Sequence, residues 1–260
     1  MRVLYVLRRV VLPLVLPVVL VAAWWAATAS STDFFWPPLS DILGTFPDTW
    51  FQGRFTADVL PSLARLGAGY LLALVLGVGL GVAIGSARPL RALLEPVLEF
   101  FRAIPAPVLV PILMLFAGIG NGMKILVIVS GCLWPILLNT VEGVRGLDDV
   151  LSDTARCYRM RRGSRLVHLV LRGASPQIAA GARQALSIGI ILMVISEMFA
   201  ASNGVGFTII QFQRSFSIPQ MWSGIILLGL IGIALSAAFQ AVESRALRWY
   251  TGLRRSQREG

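Results

Sequence analysis

Seven uncharged stretches, at 10–32, 66–87, 103–123, 125–141, 184–196, 198–213 and 215–242, together hold 140 of the 260 residues. A helix needs roughly 20 consecutive apolar residues to cross a bilayer. Most of the stretches reach or approach that length, and 184–196 and 198–213 are separated only by Glu197. The pattern predicts an all-α, polytopic membrane protein with about six transmembrane helices, at 10–28, 66–87, 103–120, 123–141, 184–201 and 219–242. It also predicts one transmembrane domain over 1–260, with an extra N-terminal helix at 10–28, a first external loop at 29–65 and a long polar connection at 142–183. The first segment imitates a secretory signal, because Arg2, Arg8 and Arg9 precede an apolar run that ends in Ala27-Thr28-Ala29. That run exceeds the roughly 7–15 residues of a signal core, so an uncleaved transmembrane helix is expected, kinked at Pro13 and Pro17.

Glycine and proline add detail to two of these spans. Gly77, Gly81 and Gly85 recur every four residues in the second span, with Gly79 between them. Gly77-Val78-Gly79 resembles part of a dinucleotide fingerprint, but that motif needs a strand, a turn and an exposed helix start. Inside an uncharged run, small residues at i, i+4 and i+8 instead form a smooth face for close helix packing. The third span opens with Pro105, Pro107 and Pro111, each of which removes a backbone donor. It is expected to begin irregularly, bend, and lie inside a bundle where the unpaired backbone is tolerated.

In the 142–183 connection, Val150, Leu151, Ala155, Tyr158, Leu166, Val167, Leu169 and Val170 recur at spacings of three and four. A solvated loop has no reason for that spacing. Short helices at the membrane surface are expected, with arginines toward water or lipid phosphates.

Charge orients the chain. Charged residues are 14% of the composition, against about 25% in soluble domains, and the net charge is +10. Of the 23 basic residues, 19 fall in the tail 1–9, the 88–102 and 142–183 connections and the tail from 243. The other side has Arg54, Arg65, Lys124 and Arg214. By the positive-inside rule both termini and the 142–183 connection are cytoplasmic. The surplus therefore has a topological origin, and no nucleic-acid partner is expected.

Composition also closes routes to chemistry. Lys124 is the only lysine, and no phosphate-loop pattern surrounds it, so ATP hydrolysis by that route is excluded. One histidine, His168, and two cysteines, Cys132 and Cys157, cannot assemble a zinc tetrad. No catalytic residue, metal or cofactor is expected in this chain, and a disulfide between an apolar run and an arginine-rich loop is not expected either.

Asp153-Thr154-Ala155, three residues, Arg159, then Leu171-Arg172 and Ser175-Pro176-Gln177-Ile178 with Gly181 beyond, resembles the EAA loop of bacterial ABC importer permeases. That pattern runs Glu-Ala-Ala, three residues, Gly, and later a Leu-Pro pair and a second Pro. The rest of the chain is similar to the sulfonate, nitrate and taurine branch of the family. The similarity is carried by Pro61-Ser62-Leu63-Ala64-Arg65, Phe101-Arg102-Ala103-Ile104-Pro105, Gly118-Ile119-Gly120, Trp134-Pro135-Ile136 with Asn139-Thr140, and Glu197-Met198 with Gly204-Val205-Gly206. With Phe35-Trp36-Pro37-Pro38 it extends over roughly residues 34 to 250.

The resemblance implies a MetI-like ABC permease architecture in a bacterial plasma (inner) membrane. It implies a second permease copy or a homologous permease, two cytoplasmic ABC ATPase subunits carrying ATP and Mg, and a periplasmic or lipid-anchored solute-binding protein. Asp153, Thr154, Ala155 and Arg159 then sit at the contact with the ATPase, with Gly163 and Ser164 in the following turn. The family's glycine is replaced by Arg159, for which ordinary helical angles are expected. Either the bend has moved to Gly163, the favoured reading, or the chain is the divergent half of a heterodimer.

Glu197 is the only acidic residue deep within the spans, which makes it a functional candidate. Gating or helix pairing is preferred over direct solute contact, against the alternative that it only reaches interfacial water. Met193, Met198, Phe116 and Asn121 are the pathway candidates, although Met and Phe at such positions more often pack or face lipid. Ser202-Asn203-Gly204 is expected to form a turn. Small organosulfonates, taurine, nitrate and vitamin precursors all fit the resemblance as solutes. A self-contained secondary transporter is the alternative, but it calls for internal repeats and coupling-ion groups near the midplane, and the chain has no convincing repeat. An intramembrane enzyme lacks the paired carboxylates, His and Cys it would need.

Overall fold

The computed structural model describes residues 2–199 and 201–250, with side chains from residue 15 onward. The expected kink at Pro13 and the arginines Arg2, Arg8, Arg9, Arg254, Arg255 and Arg258 lie outside the described side chains. Every regular element among the described residues is helical. The first helix, α1 (Arg2–Thr28), continues unbroken through Pro17. Its last threonine is tied to the next helix, because Leu39 N donates to Thr28 Oγ1 at 3.3 Å.

The expected external loop at 29–65 is largely helical. α2 (Leu39–Trp50) buries Leu39, Ile42, Thr49 and Trp50 on one face. Trp50 is fully buried and its indole N–H donates to Ser223 Oγ at 3.0 Å, which satisfies the one polar atom of a large apolar side chain. A wide π-helical turn, Phe55–Val59, leads into α3 (Leu60–Ser86).

The expected 88–102 connection is itself a helix, α4 (Arg88–Ala103), and the third span is its continuation after a break. Ile104 and Pro105 are extended, a short 3-10 turn follows at Ala106–Val108, and α5 (Leu109–Ala117) leaves at 75° to α4. The cause is local, because Pro105 and Pro107 each disfavour the helical region for the preceding residue and remove a donor. α5 contributes only Val110 to the core, and Ile112, Leu115 and Phe116 are exposed in the single chain, contrary to the expectation of an interior helix.

α6 (Asn121–Arg145) is the central post, packed by α3 on one side and by α9 (Arg172–Phe199) on the other. Between them lies α7 (Asp149–Cys157), a surface helix. The four-residue α8 (Arg162–Arg165) and a π-helical turn at Leu166–Leu171 merge into α9, giving one continuous helix over Arg162–Phe199. The expected 142–183 connection is therefore much shorter than its sequence suggests, and its second half is the start of a span. α10 (Val205–Arg214) and α11 (Ile218–Ala246) complete the chain, and α11 buries only Ile218, Ser223 and Gly224.

Among the described residues four helices are long and apolar enough to cross a membrane: Phe55–Ser86, Asn121–Arg145, Arg162–Phe199 and Ile218–Ala246. The bent α4–α5 pair makes a fifth if counted as one broken span, and Val15–Thr28 of α1 is a shorter apolar segment. Cys132 is buried and Cys157 exposed, and both are free thiols.

The glycine stripe sets the spacing of the central pair. Gly77, Gly81 and Gly85 face Ile136, Thr140 and Val144 of α6 in register. A Cβ at Gly81 would lie 2.6 Å from Thr140 Cβ, so the two backbones approach closer than any side chain permits. Gly79, on the opposite side, has open space around it. Gly81→Ala is expected to cost about 1–3 kcal/mol through overpacking, whereas Gly79→Ala is expected to leave stability unchanged or slightly raised. Thermal unfolding of the purified variants separates the two outcomes.

Candidate functional site

At the end of the bundle away from most of the arginines, a buried network joins four segments. Glu197, on the last turn of α9, is 0% exposed, and Arg65, on the second turn of α3, is 4% exposed. Arg65 Nη1 donates to Glu197 Oε1 at 2.6 Å. Ser62 Oγ lies 2.7 and 2.9 Å from the two carboxylate oxygens and accepts from Val205 N at 3.0 Å. Gly206 N donates to Glu197 Oε2 at 3.1 Å. Arg65 spends its remaining donors on Asn121 Oδ1 at 2.8 Å, on Asn203 O at 3.2 Å and on the Asn203 side-chain oxygen. The buried Asp58 accepts from Gly204 N at 3.0 Å and faces Arg54 at 3.5 Å.

The backbone is shaped to this carboxylate. Gly204 has φ +121, and a Cβ there would fall on the Glu197 carboxyl group. Both the angle and the space therefore require glycine. The expected turn at 202–204 is thus also a clamp on Arg65 and Glu197. Ser62, Arg65 and Asp58 are not singled out as site residues by the sequence, which places Arg65 on the less basic side and Ser62 and Arg65 within the motif Pro61-Ser62-Leu63-Ala64-Arg65 that carries the family resemblance. The available signal is that Arg65 and Glu197 are both ionisable and both lie at the less basic end of their spans.

Beside this network a polar cleft of about 550 Å³ is lined by Arg65, Asn121, Lys124, Asn203, Met114 and Phe199 among others. Lys124 is 3% exposed, and among the described residues no carboxylate lies within 4 Å of its ammonium. Arg65 is paired with Glu197, so Lys124 is the cationic side chain of this cleft that has no ion pair among the described residues. A second, mainly apolar cleft of about 490 Å³ lies at the α4–α5 break, between Pro105 and Pro107 on one side and Trp134, Gln184 and Ile188 on the other. Phe101 stacks on Trp134 at 6.1 Å between ring centres, which holds the break against α6. Among the described residues no group of three or more His, Cys, Asp or Glu side chains could hold a metal.

Of the expected pathway residues, Asn121 touches the buried network, Phe116 is exposed and Met198 is partly exposed. Met193 does not fit that role. It is fully buried among Leu192, Met123 and Val127, so in this chain it is a packing residue with no surface to offer a solute.

At the opposite end, α7 is capped by Asp148, whose Oδ1 accepts from Val150 N at 2.8 Å. Ala155 is its one buried residue; Asp153 and Thr154 on the helix, and Arg159 just beyond it, are exposed. Arg159 corrects the expectation drawn from the sequence. It has φ +48, and the bend has not moved to Gly163, which lies inside α8 with open space around it. Arg159 N donates to Arg156 O at 2.9 Å and Met160 N to Ala155 O at 3.0 Å, the paired bonds of a Schellman cap. Two orphan carbonyls of α7 are satisfied only if residue 159 is left-handed, so the arginine accepts the conformation that glycine takes freely. Ser164 lies one turn before His168, whose Nδ1 is 3.1 Å from Ser164 O.

Comparison with known proteins places these features in a wider group. Residues 69–248 match the family described as binding-protein-dependent transport system inner membrane component. The chain is 28% identical to the aliphatic sulfonates transport permease protein SsuC of Bacillus subtilis, over 91% of this chain and 86% of that one. It is 26% identical to the taurine transport system permease protein TauC of Escherichia coli, over 94% of this chain and 91% of that one. An inward-facing structure of the MetNI methionine ABC transporter superimposes with a TM-score of 0.60 at 19% identity, covering 72% of this chain and 94% of that one, which shows the fold.

Two stability effects follow. Glu197→Gln leaves Arg65 buried without its counter-charge and is expected to cost about 3–5 kcal/mol. The double variant Arg65→Gln/Glu197→Gln should lose less than the sum of the single ones, read as a coupling energy from unfolding midpoints. Arg159→Gly is expected to raise stability by about 1 kcal/mol, by removing the left-handed penalty, in the same measurement.

Proposed function

The chain belongs to the binding-protein-dependent transport system inner membrane components and is the multi-pass permease subunit of an ATP-driven ABC importer, and from this we propose that its solute is a small oxyanion of the sulfonate class. The observation that carries the proposal is Lys124, a lysine 3% exposed that lines a polar cleft beside Arg65, Asn121 and Asn203 and has no carboxylate within 4 Å among the described residues. A buried charge is costly unless paired. An anionic solute passing this cleft supplies the missing charge, and the amide side chains supply hydrogen bonds. The names of the two relatives, one for aliphatic sulfonates and one for taurine, support the same class. A self-contained secondary transporter is not favoured.

In this reading the arginine-rich side is cytoplasmic, and both termini lie there. The chain sits in a bacterial plasma (inner) membrane, pairs with a second permease copy or a homologous permease, and rests on two ATPase subunits that hold ATP and Mg. Asp153 and Thr154 of α7 and Arg159 at its cap form the contact, with Gly163 and Ser164 at the start of the helix that follows. Ala155 anchors the helix to the bundle. A periplasmic or lipid-anchored binding protein delivers solute to the opposite end, where Arg65 and Glu197 hold the outer ends of α3 and α9 together as a unit that the ATPase stroke moves.

Uptake of labelled sulfonate, taurine and nitrate by proteoliposomes containing the assembled importer tests the proposal. Lys124→Met is expected to cut uptake of the transported anion about tenfold or more, the scale for losing a charged partner of a buried group, while Lys124→Arg retains most of it. Unchanged uptake by Lys124→Met would rule out the anion assignment. Uptake that survives ATP depletion but collapses with the proton gradient would contradict the importer as a whole.

A further inference from the structure

A cleft of about 880 Å³ opens at the arginine-rich end, where the last turn of α3, the first turn of α4, the end of α6 and the inner side of α7 meet. Five guanidinium groups line it, from Arg88, Arg91, Arg145, Arg156 and Arg165. Two carboxylates, Asp149 and Asp153, line it as well, which leaves an excess of positive charge. Arg145 faces Glu142 at 3.4 Å and Arg156 faces Asp153 at 3.1 Å, both exposed pairs within one helix that bind weakly. Arg88, Arg91 and Arg165 form no ion pair among the described residues.

Two further observations bear on what this cleft can bind. The Nε of Arg165 is buried and has no hydrogen-bond partner, a condition folded proteins rarely leave. α4, 16 residues long, begins at Arg88 with no side chain capping its first amides. Pro89 carries no N–H and Arg91 N is bonded to Ala87 O at 3.0 Å, so the contribution of this helix start is the positive end of its dipole, at the edge of the same cleft.

The position of the cleft selects among anions. It lies where the spans α3 and α6 end, at Ser86 and Arg145, the level at which lipid headgroups meet a bilayer protein. On α4, next to Arg88 and Arg91, Leu90, Leu93 and Val97 are exposed. A free phosphate has no use for that apolar flank, whereas acyl chains do. We propose that the cleft binds the phosphate headgroup of an anionic phospholipid, with its acyl chains along the apolar flank of α4. The bound lipid ties α7, whose one buried residue is Ala155, to α4 and α6. The site stands apart from the transport reading. Only its consequence, that the lipid stiffens the helix that receives the ATPase stroke, rests on it.

The test uses the purified full-length chain in mixed micelles with phosphatidylglycerol, with phosphatidylcholine or with inorganic phosphate. Retained lipid is counted by native mass spectrometry and the thermal midpoint is followed in parallel. The expected result is retention of phosphatidylglycerol over phosphatidylcholine together with a raised midpoint. R88Q/R91Q/R165Q should lose that retention by about tenfold or more, R88K/R91K/R165K should keep most of it, and R161Q/R162Q, outside the cleft, should behave as wild type. If the triple glutamine variant does not purify, R88Q and R91Q are compared singly with R161Q in the same assay. Equal retention by the cleft variants and wild type, or an equal loss in R161Q/R162Q, would overturn the site in favour of general surface charge. A raised midpoint with inorganic phosphate alone, or its displacement of the lipid, would overturn the lipid assignment in favour of a free phosphate site.

Discussion

The Arg65–Glu197 pair is formed inside a chain so apolar that either charge without the other would be prohibitive, and the structure at that end is arranged to keep both satisfied. The carboxylate takes bonds from Arg65, from Ser62 and from the amide of Gly206, and the guanidinium adds Asn121 and both oxygens of Asn203. These partners come from α3, α6, α9 and the segment leading into α10. One buried ion pair therefore fixes the mutual positions of four elements, which apolar contact alone would leave free to slide.

The central helices tolerate this arrangement because of their close approach. Gly77, Gly81 and Gly85 let α3 lie directly on α6, and Gly181 and Gly189 do the same for α9, where a Cβ would meet Pro135 O and Cys132 Sγ. Lipid chains are as apolar as leucine, so hydrophobic transfer contributes little to association between helices in a membrane. Contact density and internal hydrogen bonds must supply it. The other end of the molecule is looser. α4 has no buried residue, α7 has one, and among the described residues Arg88, Arg91 and Arg165 there form no ion pair. A bundle that is rigid at one end and weakly tied at the other suits a subunit that moves as a lever.

Arg159 shows how backbone demands can outweigh residue preference. The helix end needs its carbonyls satisfied, and only a left-handed residue at this position closes the two capping bonds. Phe216 does the same at the end of α10, with φ 56 and Ser217 N bonded to Phe212 O at 2.9 Å. In both places the chain accepts a penalty of about 1–2 kcal/mol that glycine would avoid. Neither exception is visible in composition, because the deciding quantity is a hydrogen bond between residues five apart.

The sequence by itself determined that the chain is helical and membrane-spanning, that its arginines gather on one side, that glycines in the second span mark a packing face, and that Glu197 is out of the ordinary. Those properties follow from local composition and period, which every segment carries whatever its neighbours. Only the tertiary structure decided that Arg65, 132 residues before Glu197, is its partner. It likewise decided that Lys124 has no carboxylate within 4 Å among the described residues, that Met193 is core, that the third span breaks into two limbs, and that half of the supposed 142–183 connection belongs to a span. Each of these depends on which helix faces which. In an apolar chain almost every face is hydrophobic, so hydropathy alone does not choose, and the choice falls to a few polar contacts between distant residues and to the places where small side chains allow two backbones to touch.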